Sequence, residues 1–228
     1  LRILSLETSL RQVSVAALVG KDDHAELQYE LPLPPSQRSA QTLLPAVAEL
    51  LKSCHWQPTD IDLVCVTMGP GSFTGLRIGV TAAKTLAFAV GTPLVGVHTL
   101  AALAASVPNP SGRLWTIMDA QRQELFAASF DRGDHANEPV TRIISIEAWL
   151  TQLRSGDSVV GPPLAQLASK LPAGVTAVDA EFWQPQARVV GQLGYQLFLK
   201  GKTVDPIQLV PNYYRKSAAE EKTTAKIQ

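Results

Sequence analysis

Apolar and polar positions alternate with a short period along the first thirty residues and then change rhythm. Arg2–Glu7, Val13–Val19 and Ala25–Leu31 are apolar-rich runs joined by turns, and they predict an antiparallel meander of three strands. Pro32, Pro34 and Pro35 break the chain. From Ser36 to Lys52 the residues Leu43, Leu44, Val47, Leu50 and Leu51 recur at helical spacing. Ile61–Val66 reads as a buried strand, Phe73–Val90 as a buried helix, Pro93–Val97 as a short strand and Thr99–Ala105 as a small helix.

The segment Val107–Gly112 has the composition of a linker. The rhythm then starts over. Leu114–Asp119, Leu125–Phe130 and Val140–Ile144 predict three strands, followed by helix Ile146–Leu153, strand Val159–Val160, helix Pro163–Leu171, strand Val175–Val178 and helix Ala187–Lys200. Two passes of three strands, helix, strand, helix predict an α/β chain of two duplicated lobes, each a mixed sheet with flanking helices. The expected lobes are 1–110 and 111–214. Residues 215–228 are polar and of mixed charge, and are expected to form a mobile tail.

The run Gly69-Pro70-Gly71-Ser72-Phe73-Thr74-Gly75-Leu76-Arg77-Ile78-Gly79 joins a buried strand to a buried helix. Such a corner can present helix-end amides to an anion, or it can serve tight backbone packing. The spacing fits neither the Walker loop nor the dinucleotide fingerprint. Ser72 is placed as the helix N-cap; it does not fit a nucleophile elbow, whose glycines stand two residues either side of the serine. Helix Phe73–Val90 carries only two charges, Arg77 and Lys84, with Thr81 between them. Its remaining surface is apolar enough for two buried sides, one on the sheet and the other on either a partner subunit or the rest of its own chain.

Composition narrows the function. Twenty basic and twenty acidic residues cancel, whereas a dedicated nucleic-acid binder usually carries a basic excess. A 46% hydrophobic share supports a sizeable core. Two isolated cysteines, Cys54 and Cys65, suggest a reducing compartment. The chain opens directly into a strand without a signal-like segment, and its longest apolar region is broken by Gly91 and Pro93. A cytoplasmic protein without a membrane span is expected.

The glycine corner, together with Ala82–Ala87 and Pro93–Val97, closely resembles the TsaB (YeaZ) family. Ile3–Ser9, Leu43–Pro45, Asp119–Leu125 and Pro211–Ser217 are similar to further family elements in the same order. Gln123 departs from the family's usual glycine. The resemblance implies an actin-like ATPase (ASKHA) fold and a non-catalytic scaffold and activating subunit. That subunit would bind the catalytic paralogue TsaD, and with it TsaE, in the transfer of a threonylcarbamoyl group to adenosine 37 of tRNA. It implies contact with tRNA only through the complex, and a homodimer when TsaD is absent.

On that resemblance the partner interface comprises Ser72, Phe73, Thr74, Leu76, Arg77, Val80, Thr81 and Lys84. Glu7, Thr8 and Ser9 are a vestigial phosphate loop. The chain has no Gly-Gly pair, so its own ATP site is expected to be degenerate and no cofactor is expected, although a nucleotide at the interface with TsaD is left open. TsaD carries a His-x-x-x-His metal pair where this chain has Thr99 and Leu103. His98 is one place out of register, so no metal site is expected. The alternative is a stand-alone actin-like kinase or metal-dependent hydrolase.

Overall fold

The computed structural model describes residues 1–34, 39–110, 112–131 and 139–215. The expected mobile tail therefore lies outside the described residues, apart from Arg215. The first sheet is built from β1 (Arg2–Glu7), β2 (Ser14–Lys21), β3 (His24–Pro32), β4 (Leu63–Gly69) and β5 (Leu94–His98), in the order β3-β2-β1-β4-β5. The second is built from β6 (Leu114–Asp119), β7 (Glu124–Phe130), β8 (Arg142–Ser145), β9 (Ser158–Val160) and β10 (Thr176–Ala177), in the order β8-β7-β6-β9-β10. These are the same sheet twice. In each, the first strand runs antiparallel to the second and parallel to the fourth.

The helices repeat as well: α1 (Ser39–Ser53), α2 (Phe73–Val90) and α3 (Thr99–Ala105), then α4 (Ile146–Leu150), α5 (Leu164–Leu167) and α6 (Ala187–Leu199). The duplicated pattern expected from the sequence is present, and the fold is the actin-like ATPase fold. Strand alternation sorts the first sheet's side chains onto two faces. Leu4, Leu6, Val15, Ala17, Val64 and Val66 pack under α1 and α2. Ile3, Ala16, Leu18, Cys65 and Val97 enter a central core that also takes in Leu114, Met118 and Phe126 of the second sheet. The α3 and α6 residues fill that central core, while Trp149, Leu164 and Leu167 of α4 and α5 cover the far side of the second sheet. Full burial of each large side chain contributes roughly 2 kcal/mol, so the middle layer is what fastens the lobes together.

The second lobe is cut shorter than its sequence pattern predicts. The helix expected to reach Leu153 ends at Leu150, and the one expected over Pro163–Leu171 divides into α5 and a 3-10 turn at Ala168–Lys170. Hydrophobic spacing persists past each end because Leu153 still packs inward, although the backbone has already turned.

Candidate functional site

The glycine corner is packed solid by its own chain. The Ser72 amide donates to the Ser9 carbonyl at 2.7 Å, and Ser72 Oγ accepts the Gly75 amide at 3.3 Å as the N-cap of α2. A Cβ at Gly71 would lie 2.5 Å from the Ser9 carbonyl oxygen, and one at Gly79 would lie 2.0 Å from Thr8 Oγ1. Gly75 is just as tightly set against the Thr8 carbonyl. Gly75 and Gly79 thus let α2 lie on the Glu7–Ser9 loop. The Thr8–Ser9 loop lies against the glycines of the corner, while Gly71, Ser72 and Phe73 border the space between the lobes.

Glu7 sits beneath this contact, fully buried. Its Oε1 accepts the Ser9 amide at 2.6 Å and the Ser9 hydroxyl at 2.5 Å, while Oε2 has no partner. Burial pushes its carboxyl up to about 7, against the pull of the Ser9 bonds. Thr8 Oγ1 is also buried without a partner. The second lobe repeats the motif in the open: the Gln121 amide donates to Asp119 Oδ1 at 2.8 Å, but Asp119 is exposed.

Between the lobes lies a cleft of about 800 Å³, lined by Arg11, Ser72, Phe73, Asp119, Arg122 and Tyr213 among others. Its second-lobe wall includes Gln121 and Arg122 of the turn Gln121-Arg122-Gln123, where all three residues have positive φ (66°, 57° and 61°). Each non-glycine residue in this region costs about 1–2 kcal/mol, so Gln123 stands where a glycine would be unstrained. The two lobes also share a Gly-Pro dipeptide after the fourth strand. Gly69 (φ 125°) precedes Pro70, and Gly161 (φ 140°) precedes Pro162. This repeated dipeptide was a readable sequence signal for the duplication that the strand pattern alone did not use.

Helix α2 is enclosed on one side only. Leu76 and Val80, expected at the interface, are 1% and 3% exposed and belong to the chain's own core. Thr74, Arg77, Thr81, Thr85, Phe88 and Ala89 form the exposed side, and Phe88 is 71% exposed. Ser72 is exposed and Phe73 half-buried. By length and composition α2 could cross a membrane. Its inner side, however, is locked to β4 and the Thr8 loop, so it serves as a helix of the folded body.

The two cations of α2 face inward along the surface. Arg77 Nε donates to the Tyr213 hydroxyl at 2.9 Å, and its guanidinium lies 3.9 Å from the Phe73 ring centre. Lys84 Nζ donates to the carbonyls of Ile207 and Leu209 at 3.0 and 2.9 Å. Sequence reasoning missed these C-terminal partners, since nothing in local periodicity links residues more than a hundred positions apart.

His98 caps α3: Nδ1 accepts the Leu100 amide at 3.2 Å, leaving the ring proton on Nε2. Nε2 faces the hydroxyls of Tyr214 and Thr141 at 2.9 and 3.0 Å. Burial holds this imidazole down at about 4. Among the described residues no three His, Cys, Asp or Glu side chains converge as a metal site would require.

The family model of TsaD, tRNA N6-adenosine threonylcarbamoyltransferase, matches residues 26–151. The chain is 30% identical to the tRNA threonylcarbamoyladenosine biosynthesis protein TsaB of Escherichia coli (strain K12), over 99% of this chain and 100% of that protein. It is 32% identical to TsaB of Bacillus subtilis (strain 168), over 69% of this chain and 68% of that protein. The solved structure of YeaZ from Pseudomonas aeruginosa superposes with a TM-score of 0.78 at 25% identity, covering 93% of this chain and 99% of that one.

Proposed function

The chain belongs to the TsaB family, and from that premise we propose that it is a non-catalytic scaffold and activating subunit in the synthesis of threonylcarbamoyladenosine on tRNA. In this reading it docks the catalytic TsaD subunit, and with it TsaE, in the cytoplasm. The observation that carries the reading is the exposed side of α2: a helix fixed rigidly from beneath, with Thr74, Thr81, Thr85 and Phe88 left uncovered. A preordered helix face whose one exposed charge, Arg77, is already held by Tyr213 suits docking, because little side-chain freedom is lost on contact. A stable contact needs about 1,600 Å² in total, more than α2 alone offers, so α1 with its exposed Leu44 belongs to the same surface.

The TsaD family model spans the region that holds α1 and α2. A partner built on the same pattern would present a like helix pair, which is the reason to expect a homodimer when TsaD is absent. Within the interface reading, Ser72, Leu76 and Val80 shape α2, while Phe73, Arg77 and Lys84 fasten it to the C-terminal segment. Thr74 and Thr81 are left to touch the partner. The lobes are taken as 1–110 and 111–214.

The enzymatic alternative requires a ligand to reach the acidic strand end of the first lobe. Glu7 is enclosed, and the Thr8–Ser9 backbone fills the corner beside it. This supports a degenerate nucleotide site in the chain itself, and a nucleotide, if one is used, would sit at the interface with TsaD. With twenty charges of each sign, tRNA is reached through the complex. The test is a reconstituted modification assay with TsaD, TsaE and tRNA. Product formation should depend on this chain, and should survive Glu7→Gln. Full product without the chain, or complete loss in Glu7→Gln with binding intact, would overturn the reading.

A further inference from the structure

After α6 the chain runs along the first lobe toward the second. The Val204 amide donates to the Leu94 carbonyl at 2.9 Å, adding a bridge to β5. Leu209 is buried beside α2, whose Lys84 holds the carbonyls on either side of Gln208. The Asn212 amide donates to the Met68 carbonyl at 2.6 Å. Tyr213 then packs on Phe73 with ring centres 4.7 Å apart. Up to this point every contact is with the first lobe.

The next two residues reach the second lobe. The Tyr214 hydroxyl still bonds to His98 Nε2 of the first lobe, but its ring lies 6.0 Å from that of Phe126 on β7. Arg215 forms an ion pair with Glu124 at the start of β7. The same His98 nitrogen faces Thr141 just before β8. Asn212, Tyr213, Tyr214 and Arg215 thereby form one rim of the interlobe cleft.

We propose that Val204–Arg215 is a latch that fixes the angle between the lobes, and that Tyr213 ties this angle to the exposed side of α2. Two-lobed folds of this kind close and open about a hinge. Here a strap pinned at Leu94, Lys84 and Met68 ends in Tyr214, whose ring lies beside Phe126, and Arg215, which pairs with Glu124. Tyr213, the residue between the two sets of contacts, rests on Phe73 and Arg77 at the start of α2. A force that shifts the first turn of α2 therefore reaches Tyr214 and Arg215 through a single peptide unit. The effect on docking rests on the function proposed above; the latch itself does not.

The test places spin labels at Lys52→Cys on α1 and Gln166→Cys on α5, both exposed positions, in a Cys54→Ser background. Cys65 is fully buried and its thiol is pushed far up by burial, so it does not label. The parent should give one narrow distance distribution, and Tyr214→Ala with Arg215→Ala should give a distribution roughly twofold broader. An unchanged narrow distribution overturns the latch. Should the double variant fail to melt cooperatively, Arg215→Ala alone, which removes the ion pair with Glu124, carries the same comparison.

The coupling is read from the affinity of Tyr213→Ala for a TsaD subunit, which should fall about tenfold. If Thr81→Glu blocks docking while Tyr213→Ala leaves Kd unchanged, the coupling is refuted and the docking reading stands. If neither variant alters Kd, the docking reading falls, and the distance measurement still decides the latch.

Discussion

Glu7→Gln should make the protein more stable at neutral pH and leave it nearly unchanged in acid. The folded Glu7 holds its proton up to about pH 7, whereas the ordinary carboxyl value is 4.5. A group raised in this way gives its full contribution below 4.5 and loses it as the pH rises through 7. The span corresponds to about 3 kcal/mol at 1.36 kcal/mol per unit. An amide has no charge to desolvate, and its oxygen can still accept the Ser9 amide. At pH 7.5 the variant should therefore exceed the parent by about 3 kcal/mol, with the difference shrinking to a few tenths by pH 4.5. Urea denaturation at four pH values between these limits, with unchanged m, measures it directly. Parallel curves for the two proteins would refute the claim that Glu7 is sealed away from solvent and from any ligand.

His98 should show the opposite slope. Its imidazole is depressed from 6.5 to about 4, so its contribution is complete above 6.5 and is lost as the pH falls through 4. His98→Asn, which keeps an acceptor for the Leu100 amide, should remove roughly 3 kcal/mol of pH dependence from the urea series; an unchanged slope would contradict the assignment. Leu76→Glu and Val80→Glu should each destabilise the monomer by several kcal/mol, because a carboxylate would enter the core without a partner. A cooperative melt close to that of the parent would show that these side chains do not face inward. Gln123→Gly should raise Tm by about 2 °C by relieving a left-handed residue, and a lower Tm would mean that the Gln123 side chain holds the turn.

The sequence made the architecture readable because both lobes bury regular elements, and burial writes a period into the chain. Helices α2 and α3 and strands β1 and β6 begin and end where the pattern places them. The resemblance likewise pointed to the corner and to α2. It could not divide α2 into inner and outer sides, since Leu76, Val80 and Phe88 are all apolar and only packing tells them apart. Spacing alone does not say what lies against Gly75 and Gly79; in the fold it is Thr8, by its carbonyl at Gly75 and its side chain at Gly79. The C-terminal strap was invisible because its contacts join residues far apart in sequence through carbonyls and rings. The second lobe's middle elements were overread, as hydrophobic spacing outlasts regular backbone at Leu153 and Val178.

The account turns on whether the uncovered side of α2 is where a TsaD subunit docks. Titration calorimetry of TsaD into the parent, Thr81→Glu and Phe88→Glu tests this most directly, because both side chains are exposed and neither change should disturb the fold. Loss of two or more kcal/mol of binding in both variants, with their melting curves unchanged, is the expected result. Parent-like affinity in both would contradict the account.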